Sequence, residues 1–505
     1  MQIELEIKFR LSEGAAARVW RTLPAVRARR RRVIRNTYFD TPDFRLRDAR
    51  AALRLRRDGR HWRQSLKFEN HGGSAMPERI EWEQVVPRGR LALERLPEKE
   101  IEARHGLRLA ELAERLDAVF TTRFERRSGE LPLPDGTRIE VSLDKGQISA
   151  GQRRSALFEL ELELIEGHAA AMLACAEQLI EPLGLQLEFR SKAQRGYRLA
   201  TNSSDTPVKA SSAAFGPQAS VEHAFVQVFR ASLAQVEANL RGTATLPDAE
   251  YLHQLRVGLR RMRTALRAFR GLVPRLVAEP LLGELRELMP ALGSARDWDV
   301  LSEILKNVAQ APVAGAPALA PLLRRVALQR ARARRAARAC VISAAFQRFI
   351  LHGTAWMERK PWRSEPNGAA RPVPDQPVAT FANRALTKLE HRAARSARRI
   401  DWRDPVARHG LRVRLKRLRY ACEFFASCSP RKAARRYLER LEGLQDLLGE
   451  LNDLAVARRL LAPIGADECA PAVGFVQGWL AAREQALMTV LAGAWRALRK
   501  TRCFW

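Results

Sequence analysis

The first residues of the chain alternate between apolar and charged side chains. Residues 3–9 read Ile-Glu-Leu-Glu-Ile-Lys-Phe. Successive side chains of a β-strand point to opposite faces, so Glu4, Glu6 and Lys8 share one face of a predicted strand. Facing inward, these charges would suit a barrel that holds a polyanion and metal ions. Facing outward, they would belong to an ordinary edge strand.

The same alternation recurs in five later segments, at residues 53–56, 65–68, 79–83, 139–144 and 158–163. Acidic residues gather on the first and the late segments, and basic residues gather on the middle ones. This segregation favours a closed antiparallel barrel with an acidic wall for metal ions and a basic wall for phosphate. The alternative is a sheet whose outer face is covered by salt bridges.

The pattern changes after a stretch rich in Ser, Thr and Ala at residues 201–218, which predicts a flexible linker. Beyond it, apolar positions recur with a period of about 3.6, which predicts helices. The chain is therefore expected to have a two-domain α+β architecture, with a β domain at residues 1–200 and an all-α domain at residues 219–505.

The helical domain contains an internal repeat with an offset of 156 residues. The segment His-Gln-Leu-Arg-Val-Gly-Leu-Arg-Arg-Met-Arg at 253–263 matches His-Gly-Leu-Arg-Val-Arg-Leu-Lys-Arg-Leu-Arg at 409–419, and Asp297 matches Asp453. This predicts two helical bundles related by a pseudo-two-fold axis. Their expected bounds are about 219–360 and 376–505.

Each copy carries cationic side chains along one face of a helix. Stripe A consists of His253, Arg256, Arg260, Arg263 and Arg267, and stripe B consists of His409, Arg412, Lys416 and Arg419. Like charges three or four positions apart repel by about 0.2–0.5 kcal/mol per pair, so helix stability does not explain the stripes. An anion that bridges the cations would explain them, and two facing stripes would form a long cationic groove.

Composition supports a polyanionic partner. The formal net charge is +32 over 505 residues, of which residues 1–200 carry +8 and residues 201–505 carry +24. Such an excess favours nucleic acid, anionic lipid or polyphosphate. The six cysteines include no C-x-x-C pair, which predicts a reduced, cytoplasmic protein without a zinc site. We expect no secretory signal and no transmembrane segment. The sequence leaves the oligomeric state open.

Several motifs of the N-terminal part occur in a specific order. They are Glu4-x-Glu6-x-Lys8, Tyr38-Phe-Asp-Thr-Pro42, Ala52-Leu-Arg-Leu-Arg-Arg57, Glu81-Trp-Glu83 and Phe158-Glu-Leu-Glu-Leu-Glu163. With these motifs, residues 1–200 resemble the CYTH family of triphosphate tunnel metalloenzymes. The resemblance implies an eight-stranded antiparallel tunnel with flanking helices. It also implies a bound triphosphate that is hydrolysed or cyclised with Mg²⁺ or Mn²⁺.

The resemblance also implies roles for individual residues. Cations expected around the triphosphate are Lys8, Arg54, Arg56, Lys67, Arg126 and Lys192, and carboxylates expected to hold the metal are Glu4, Glu6, Asp144, Glu159 and Glu161. Glu81, Glu83 and Glu163 are expected to orient the cations. No nucleophilic side chain is evident, so we expect water to attack a terminal phosphorus while Arg and Lys neutralise the leaving diphosphate.

Three local features are less defined. Arg127 follows Arg126, so either side chain could enter the tunnel. Residues 195–197, Arg-Gly-Tyr, resemble the family's closing strand. The arginine-rich run at residues 27–32 is predicted to lie in a loop as solvated surface charge.

The His and Arg spacing of stripes A and B resembles the CHAD family, the conserved histidine α-helical domain, over residues 219–505. This resemblance implies a bilobed helical bundle whose basic central surface binds inorganic polyphosphate through the two stripes. Asp297 and Asp453 are expected either to pin basic side chains or to cap helices. Stripe B has Lys416 where stripe A has Arg260, and Asn452 stands where the first copy has Arg296, so the two lobes are expected to differ.

Together, the two resemblances predict a metal-dependent inorganic triphosphatase that converts tripolyphosphate to diphosphate and phosphate, with a helical domain that binds polyphosphate. The alternatives are a nucleoside or thiamine triphosphatase, a class IV adenylate cyclase, or a polyphosphate-binding scaffold with an inactive tunnel. Nucleic-acid binding is disfavoured because the stripes carry few aromatic side chains for stacking on bases.

Overall fold

The computed structural model describes residues 2–59, 61–69, 78–211, 215–310, 317–363, 374–464 and 467–505. The side chains of residues 2–4, 27–29, 58, 69, 78, 79, 88 and 467 lie outside that description. The chain forms two compact units. The tunnel unit comprises Met1–Thr206 and Ile342–Lys360, and the helical unit comprises Pro207–Val341 and Pro361–Trp505. None of the helices in the described part of the chain has the length and the apolar composition of a membrane span.

The tunnel unit is built on an antiparallel sheet. Its strands are β1 (Gln2–Arg10), β2 (Arg27–Asp40), β3 (Ala51–Asp58), β4 (His61–Glu69), β5 (Glu78–Val85), β6 (Asp117–Pro132), β7 (Arg138–Ala150), β8 (Arg153–Glu166) and β9 (Gln186–Leu187). They follow the order β5-β4-β3-β2-β6-β7-β8-β1-β9, and β1 also pairs with β5. This second pairing closes the first eight strands into a barrel, which confirms the predicted eight-stranded antiparallel tunnel.

The alternation along the strands separates an apolar outside from a charged inside. Leu53, Leu66, Phe68 and Trp82 point outward and are buried against Ile101 of a covering helix. The helices of the N-terminal part are α1 (Glu13–Thr22), α2 (Arg45–Asp48), α3 (Glu98–His105), α4 (Ala169–Leu183) and α5 (Lys192–Thr201). Because helices cover the outer face, the polar side chains between the apolar ones face the lumen.

Two local predictions for this unit are wrong. Residues 195–197 belong to helix α5, because Ser191 and Gln194 form a capping box in which each side chain accepts a hydrogen bond from the other's backbone N–H at 3.0 Å. Residues 27–32 belong to β2 rather than to a loop, because their backbone pairs with β6.

The helical unit confirms the duplication. Its helices are α6 (Val221–Thr245), α7 (Ala249–Ala268), α8 (Arg275–Gln310), α9 (Ala320–Ile342), α11 (Val378–Arg398), α12 (Pro405–Phe425), α13 (Arg431–Leu461) and α14 (Ala470–Lys500), and α10 (Ala344–Arg359) lies between the two sets. The offset of 156 converts the first residues of α7 and α8 into those of α12 and α13. Phe269 and Phe425, which this offset relates, have ring centroids 5.1 Å apart, so the pseudo-two-fold axis passes between them.

The expected assignment of all residues 219–505 to one helical domain needs a correction at α10. This helix belongs to the tunnel unit, where Gln347 Oε1 accepts a hydrogen bond from the Leu187 N–H at 2.8 Å and His352 lies 3.0 Å from a carboxylate oxygen of Glu177 on α4. The apolar residues of α10, including Phe346 and Phe349, are buried. Within the tunnel unit, α10 therefore packs against α4.

The predicted linker is also partly fixed. Residue Thr201 still belongs to α5, and Val208 is held against α6 because its N–H donates to Asn239 Oδ1 at 3.0 Å and its carbonyl accepts from Asn239 Nδ2 at 2.9 Å. Phe215 is buried. The backbone at Val208 and the side chain of Phe215 are therefore fixed to the helical unit.

Candidate functional site

The barrel encloses a cavity of about 540 Å³. Charged side chains that line it are Glu6, Lys8, Arg54, Arg56, Lys67, Glu81, Glu83, Arg126, Glu161, Glu163 and Lys192. The inward-facing alternative for the charged strand faces is therefore confirmed. The cavity has an acidic wall formed by β1, β7 and β8 and a basic wall formed by β3 and β4, as the distribution of charges along the sequence predicted.

Three buried carboxylates of the acidic wall form a compact group. Asp144, Glu159 and Glu161 each offer an oxygen within 4.8 Å of the others. Asp144 and Glu159 face each other across the β7–β8 pairing, which is why residues distant in sequence meet here. The group contains three of the five carboxylates predicted to hold a metal ion.

Basic side chains already neutralise these carboxylates. Lys192 Nζ lies 2.7 Å from Glu161 Oε1 and 2.9 Å from Asp144 Oδ2, and it also contacts Glu159. Arg126 donates from Nε and Nη2 to the two oxygens of Asp144, both at 2.7 Å. Lys192 can reach all three acids because it is the first residue of α5, which packs against the barrel through Ala193 and Tyr197.

The charge state of the wall follows from this network. Burial disfavours the negative charge of Glu161. The nearby cations Lys192 and Arg126 outweigh this effect and hold the pKa of Glu161 well below its ordinary value. Burial, partly offset by Lys192, raises the pKa of Glu159. Burial likewise opposes the ammonium of Lys192, but Asp144 and Glu159 outweigh it and raise its pKa. Lys192 therefore remains a cation inside the acidic group.

The basic wall is organised around Glu81. Arg54 Nη2 lies 3.1 Å from Glu81 Oε1, Lys67 Nζ lies 2.6 Å from Glu81 Oε2, and Arg54 Nε donates to Ser65 Oγ at 2.7 Å. Burial disfavours the Arg54 cation, but Glu81 outweighs it and raises its pKa. Glu81 thus fixes the direction of both cations, as expected of an orienting carboxylate.

The positive charge of Arg56 has a more distant carboxylate than the charges of Arg54 and Lys67 have. Its Nη1 lies 3.9 Å from Glu83 Oε2, and its Nε donates to Asn36 Oδ1 at 3.2 Å. Burial, followed by repulsion from Arg54 and Arg126, lowers the pKa of Arg56 to about 10. A buried cation among other cations is stabilised by an anion, so the surroundings of Arg56 favour a negatively charged ligand in the cavity.

Three further points concern predicted residues of the tunnel. Lys8 Nζ lies 2.9 Å from Glu6 Oε1 and 3.6 Å from Glu161 Oε1, so Lys8 and Glu6 belong to the acidic wall. The ambiguity between neighbouring arginines is resolved: Arg126 lines the cavity, whereas Arg127 is exposed and pairs with Glu125. The side chain of Glu4 lies outside the described part of the structure.

One residue of the acidic wall escaped the sequence analysis. Arg195 Nη1 lies 3.1 Å from Glu159 Oε2. It follows Lys192 by three positions, so both side chains lie on one face of α5. The capping-box pattern Ser-x-x-Gln at residues 191–194 was the signal that could have identified this helix and this residue.

The donor chemistry of the acidic wall fits a hard divalent cation. Mg²⁺ and Mn²⁺ prefer carboxylate oxygens, and Asp144, Glu159 and Glu161 supply them at the spacing of one site. The positions of Lys192 and Arg126 within the group show that it attracts positive charge from several directions. A metal ion would compete with these two side chains for the same oxygens.

Stripe A of the helical unit presents donors that lack acceptors. Nε and Nη1 of Arg256 and Nε of Arg260 are buried without a hydrogen-bond partner among the described residues. A Cβ at Gly293 would lie 3.1 Å from Arg256 Nη1, so this glycine makes room for the guanidinium. Burial and Arg260 lower the pKa of Arg256 to about 10. An anion on stripe A would satisfy these donors.

The two stripes differ around their histidines. In the first copy, burial and then Arg296 lower the pKa of His253 to about 3, so the imidazole is neutral. In the second copy, Asn452 replaces the arginine, and His409 Nδ1 lies 2.6 Å from Asn452 Oδ1. The two lobes therefore differ in the surroundings of their histidines.

Asp297 and Asp453 do not cap helices, because both lie in helix interiors. An Asp297 oxygen lies 3.7 Å from Arg459, and an Asp453 oxygen lies 4.0 Å from Arg412. The capping alternative is therefore wrong, and the two carboxylates lie beside basic side chains instead.

Comparison with known proteins supports both resemblances. Residues 2–197 match the CYTH domain, and residues 227–462 match the CHAD domain. An inorganic triphosphatase from Haemophilus influenzae is 28% identical over 176 residues, a match that spans 33% of this chain and 46% of that relative, so the chain spans about half the length of this curated relative. The crystal structure of the CHAD domain from the plant Ricinus communis is 29% identical, with a TM-score of 0.52, and the match covers 59% of this chain and 99% of that chain. The chain therefore carries a CYTH domain followed by a CHAD domain.

Proposed function

We propose that the tunnel unit hydrolyses tripolyphosphate to diphosphate and phosphate with Mg²⁺ or Mn²⁺, and that the helical unit binds inorganic polyphosphate. The observation that carries the first part is the pairing of a basic wall around Arg54, Arg56 and Lys67 with a compact group of three buried carboxylates across one enclosed cavity. The H. influenzae relative is an inorganic triphosphatase, which supports the same reaction class.

The basic wall and the acidic wall would have different roles in phosphoryl transfer. Arg54, Arg56 and Lys67 would bind non-bridging oxygens of the substrate and neutralise the leaving diphosphate. When bound by Asp144, Glu159 and Glu161, a divalent ion would polarise the terminal phosphoryl group and orient the attacking water. Glu81 keeps two of the cations in place before the substrate arrives, which lowers the cost of reorganisation.

Lys192 and Arg126 are cations within the acidic wall. They now donate to the carboxylates. With a divalent cation on the same oxygens, their N–H groups would donate to phosphate oxygens instead. The tunnel would then exchange internal ion pairs for contacts with substrate and metal, and its buried charges would stay compensated throughout.

The cavity favours a substrate made only of phosphate. Besides Trp82, which points outward, the aromatic residues that line it are Tyr38 and Phe124, both buried, and Tyr38 stacks on Phe120 at 4.4 Å between centroids. Phe124 has Lys192 5.4 Å from its ring centroid. Neither of the two rings is exposed enough for a nucleobase or a thiazole to stack on it, which supports tripolyphosphate over ATP or thiamine triphosphate.

Buried donors without acceptors carry the second part of the proposal. The guanidinium nitrogens of Arg256, Arg260 and Arg412 include buried N–H groups without a partner among the described residues. Leaving such groups unpaired costs about 1–3 kcal/mol each, and more when they are charged. A linear polyanion along stripes A and B would satisfy them.

Two assays test these proposals on the full chain. Phosphate release from tripolyphosphate, with and without Mg²⁺ or Mn²⁺, tests the enzyme. Titration with long-chain polyphosphate tests the helical unit, and active turnover without polyphosphate binding would separate the first proposal from the second.

A further inference from the structure

Helices α11 and α12 border a second basic cavity, here called groove C. It has a volume of about 830 Å³. Five arginines line it, Arg392, Arg395, Arg399, Arg414 and Arg417, and no acidic residue does. None of the five belongs to stripe A or stripe B. The sequence analysis did not single them out.

The arginines of groove C lack partners, whereas a neighbour on the same helix is fully paired. No side chain of the five has an ion pair or hydrogen bond among the described residues. Arg408, also on α12, does not line the groove and pairs with Glu484, and its Nη1 donates to the Trp402 carbonyl at 3.1 Å. The fold therefore compensates an arginine where its charge is structural and leaves the groove charges uncompensated.

The first repeat shows that the helix pair does not need these charges. Arg392 and Arg414 correspond to Val236 and Gly258 at the offset of 156. A Cβ at Gly258 would lie 2.8 Å from Val236 Cγ2, so α6 and α7 are packed closely at this point. The second repeat places two arginines where the first has a closed apolar contact, and the result is an open groove instead of a packed one.

An ion pair between the repeats also has no counterpart beside groove C. Arg261 of α7 forms an ion pair with Glu423 of α12 at 2.5 Å. The residues related to this pair by the offset are Arg417 and Arg267, so two cations replace a cation and an anion. Burial, then Arg267 and Arg263, lower the pKa of Arg417. Arg417 thus lies near the end of stripe A and joins it to groove C.

We propose that groove C is a further phosphate-binding site, at which a long polyphosphate chain held on stripe A continues across Arg417 to contact Arg392, Arg395 and Arg414. This proposal rests on the proposed binding of polyphosphate by the helical unit. Like charges gathered without partners destabilise a helix pair, and a bound polyanion would remove that cost.

A phosphate chain fits the groove better than a nucleic acid does. Apart from arginines, the lining consists of aliphatic and small residues such as Leu389, Val406 and Gly410, with no aromatic ring on which a base could stack. Each internal phosphate of polyphosphate carries one negative charge, so a short stretch of chain matches the arginines in number. Guanidinium groups also suit phosphate oxygens through paired hydrogen bonds.

The test compares two variants of the full chain that lose the same charge. In the groove variant, Arg392→Gln, Arg395→Gln and Arg414→Gln are combined. In the control variant, Arg324→Gln, Arg332→Gln and Arg335→Gln remove three exposed arginines of α9. A third variant with lysine at the three groove positions keeps the charge. Thermal unfolding of each variant checks the fold, and long-chain polyphosphate is titrated at several salt concentrations.

We expect the groove variant to lose at least about tenfold in polyphosphate affinity, and the slope of log K against log salt to shrink by about 2, since each lost phosphate contact contributes about 0.7. The control should lose about twofold or less, and the lysine variant should keep most of the slope. Equal losses in groove and control variants would overturn groove C alone. No binding by the unmodified protein would overturn polyphosphate binding itself. Tighter binding of a single-stranded DNA of equal charge would overturn the assignment of the occupant.

Discussion

Lys192 Nζ lies 2.7 Å from Glu161 Oε1, so a buried ammonium sits within the group of carboxylates that has the geometry of a metal site. The short distance links the proposed binding of a metal ion by the carboxylates to the proposed binding of phosphate by the ammonium. A divalent ion and the ammonium would compete for the same oxygens, and the phosphate substrate would supply a new partner for the displaced ammonium. Metal binding and substrate binding are therefore expected to reinforce each other.

The first prediction concerns Glu161. Glu161→Gln removes one anionic oxygen ligand but keeps the size of the side chain, so tripolyphosphate turnover should fall on the order of 100-fold or more, and more Mg²⁺ should be needed for half-maximal rate. The measurement is kcat/KM as a function of Mg²⁺ concentration.

The matched control is Glu125→Gln. Glu125 is also a strand glutamate paired with arginines, Arg31 and Arg127, but it lies on the outer face of the barrel. Turnover of tripolyphosphate by the Glu125→Gln variant should stay within about twofold of that by the unmodified protein. Full turnover by Glu161→Gln at moderate Mg²⁺ would exclude this carboxylate as a metal ligand.

The second prediction concerns Arg56, whose cation is held near Arg54 and Arg126 with only a distant carboxylate. Arg56→Met should leave the melting temperature unchanged or slightly higher, because it relieves like-charge repulsion in a buried site. The same change should lower kcat/KM for tripolyphosphate by about 100-fold, because a transition-state contact is lost. A large drop in melting temperature would show that Arg56 acts in the fold rather than on the substrate.

The third prediction concerns the stripes. Arg256→Gln combined with Arg412→Gln should weaken binding of long-chain polyphosphate by at least about tenfold, because both guanidinium groups hold buried donors without partners. Arg332→Gln combined with Arg335→Gln removes the same charge from the exposed face of α9 and should have little effect. Similar losses in both pairs would mean that bulk charge attracts the polyanion without a defined site.

The fourth prediction is a pH dependence. Burial, followed by repulsion from Arg412 and Arg260, lowers the pKa of Lys416 from 10.5 to about 6. At pH 7.5 the free protein therefore holds this lysine mostly neutral. A neighbouring phosphate would favour the ammonium, so binding should take up a proton, and affinity should rise as the pH falls towards 6 and level off below it.

Calorimetry in buffers of different ionisation enthalpy measures this uptake. At most one proton per site can come from Lys416, so log K should change by no more than about one per pH unit. Lys416→Arg keeps the cation at all these pH values and should abolish the uptake while preserving binding. Unchanged uptake in that variant would assign the proton to another group.

The barrel was predictable from sequence because one face of each strand is apolar and the other is charged. The alternation of residues such as Leu53 and Arg54 predicts which side chain faces outward and which faces inward, and it does not depend on the rest of the fold. The pairing partners were not predictable in this way. That Glu81 would hold Arg54 and Lys67, or that Lys192 would reach three acids, depends on strand order and on the start of α5.

The misplaced elements had signals of different strength. The capping-box pattern at Ser191 and Gln194 indicates a helix start, whereas the family resemblance predicts a closing strand at residues 195–197. Helix α10 had no comparable signal in the sequence. Its packing against α4 depends on tertiary contacts that no local pattern encodes.

The most direct test of the account is a comparison of phosphate release from tripolyphosphate, ATP and thiamine triphosphate by the full chain, each with Mg²⁺, with Mn²⁺ and with a chelator. We predict metal-dependent turnover in which kcat/KM for tripolyphosphate exceeds that for the other two by at least about tenfold, which corresponds to about 1.4 kcal/mol of transition-state stabilisation. Preference for ATP or thiamine triphosphate, formation of cyclic AMP, or no turnover with either metal would contradict the account.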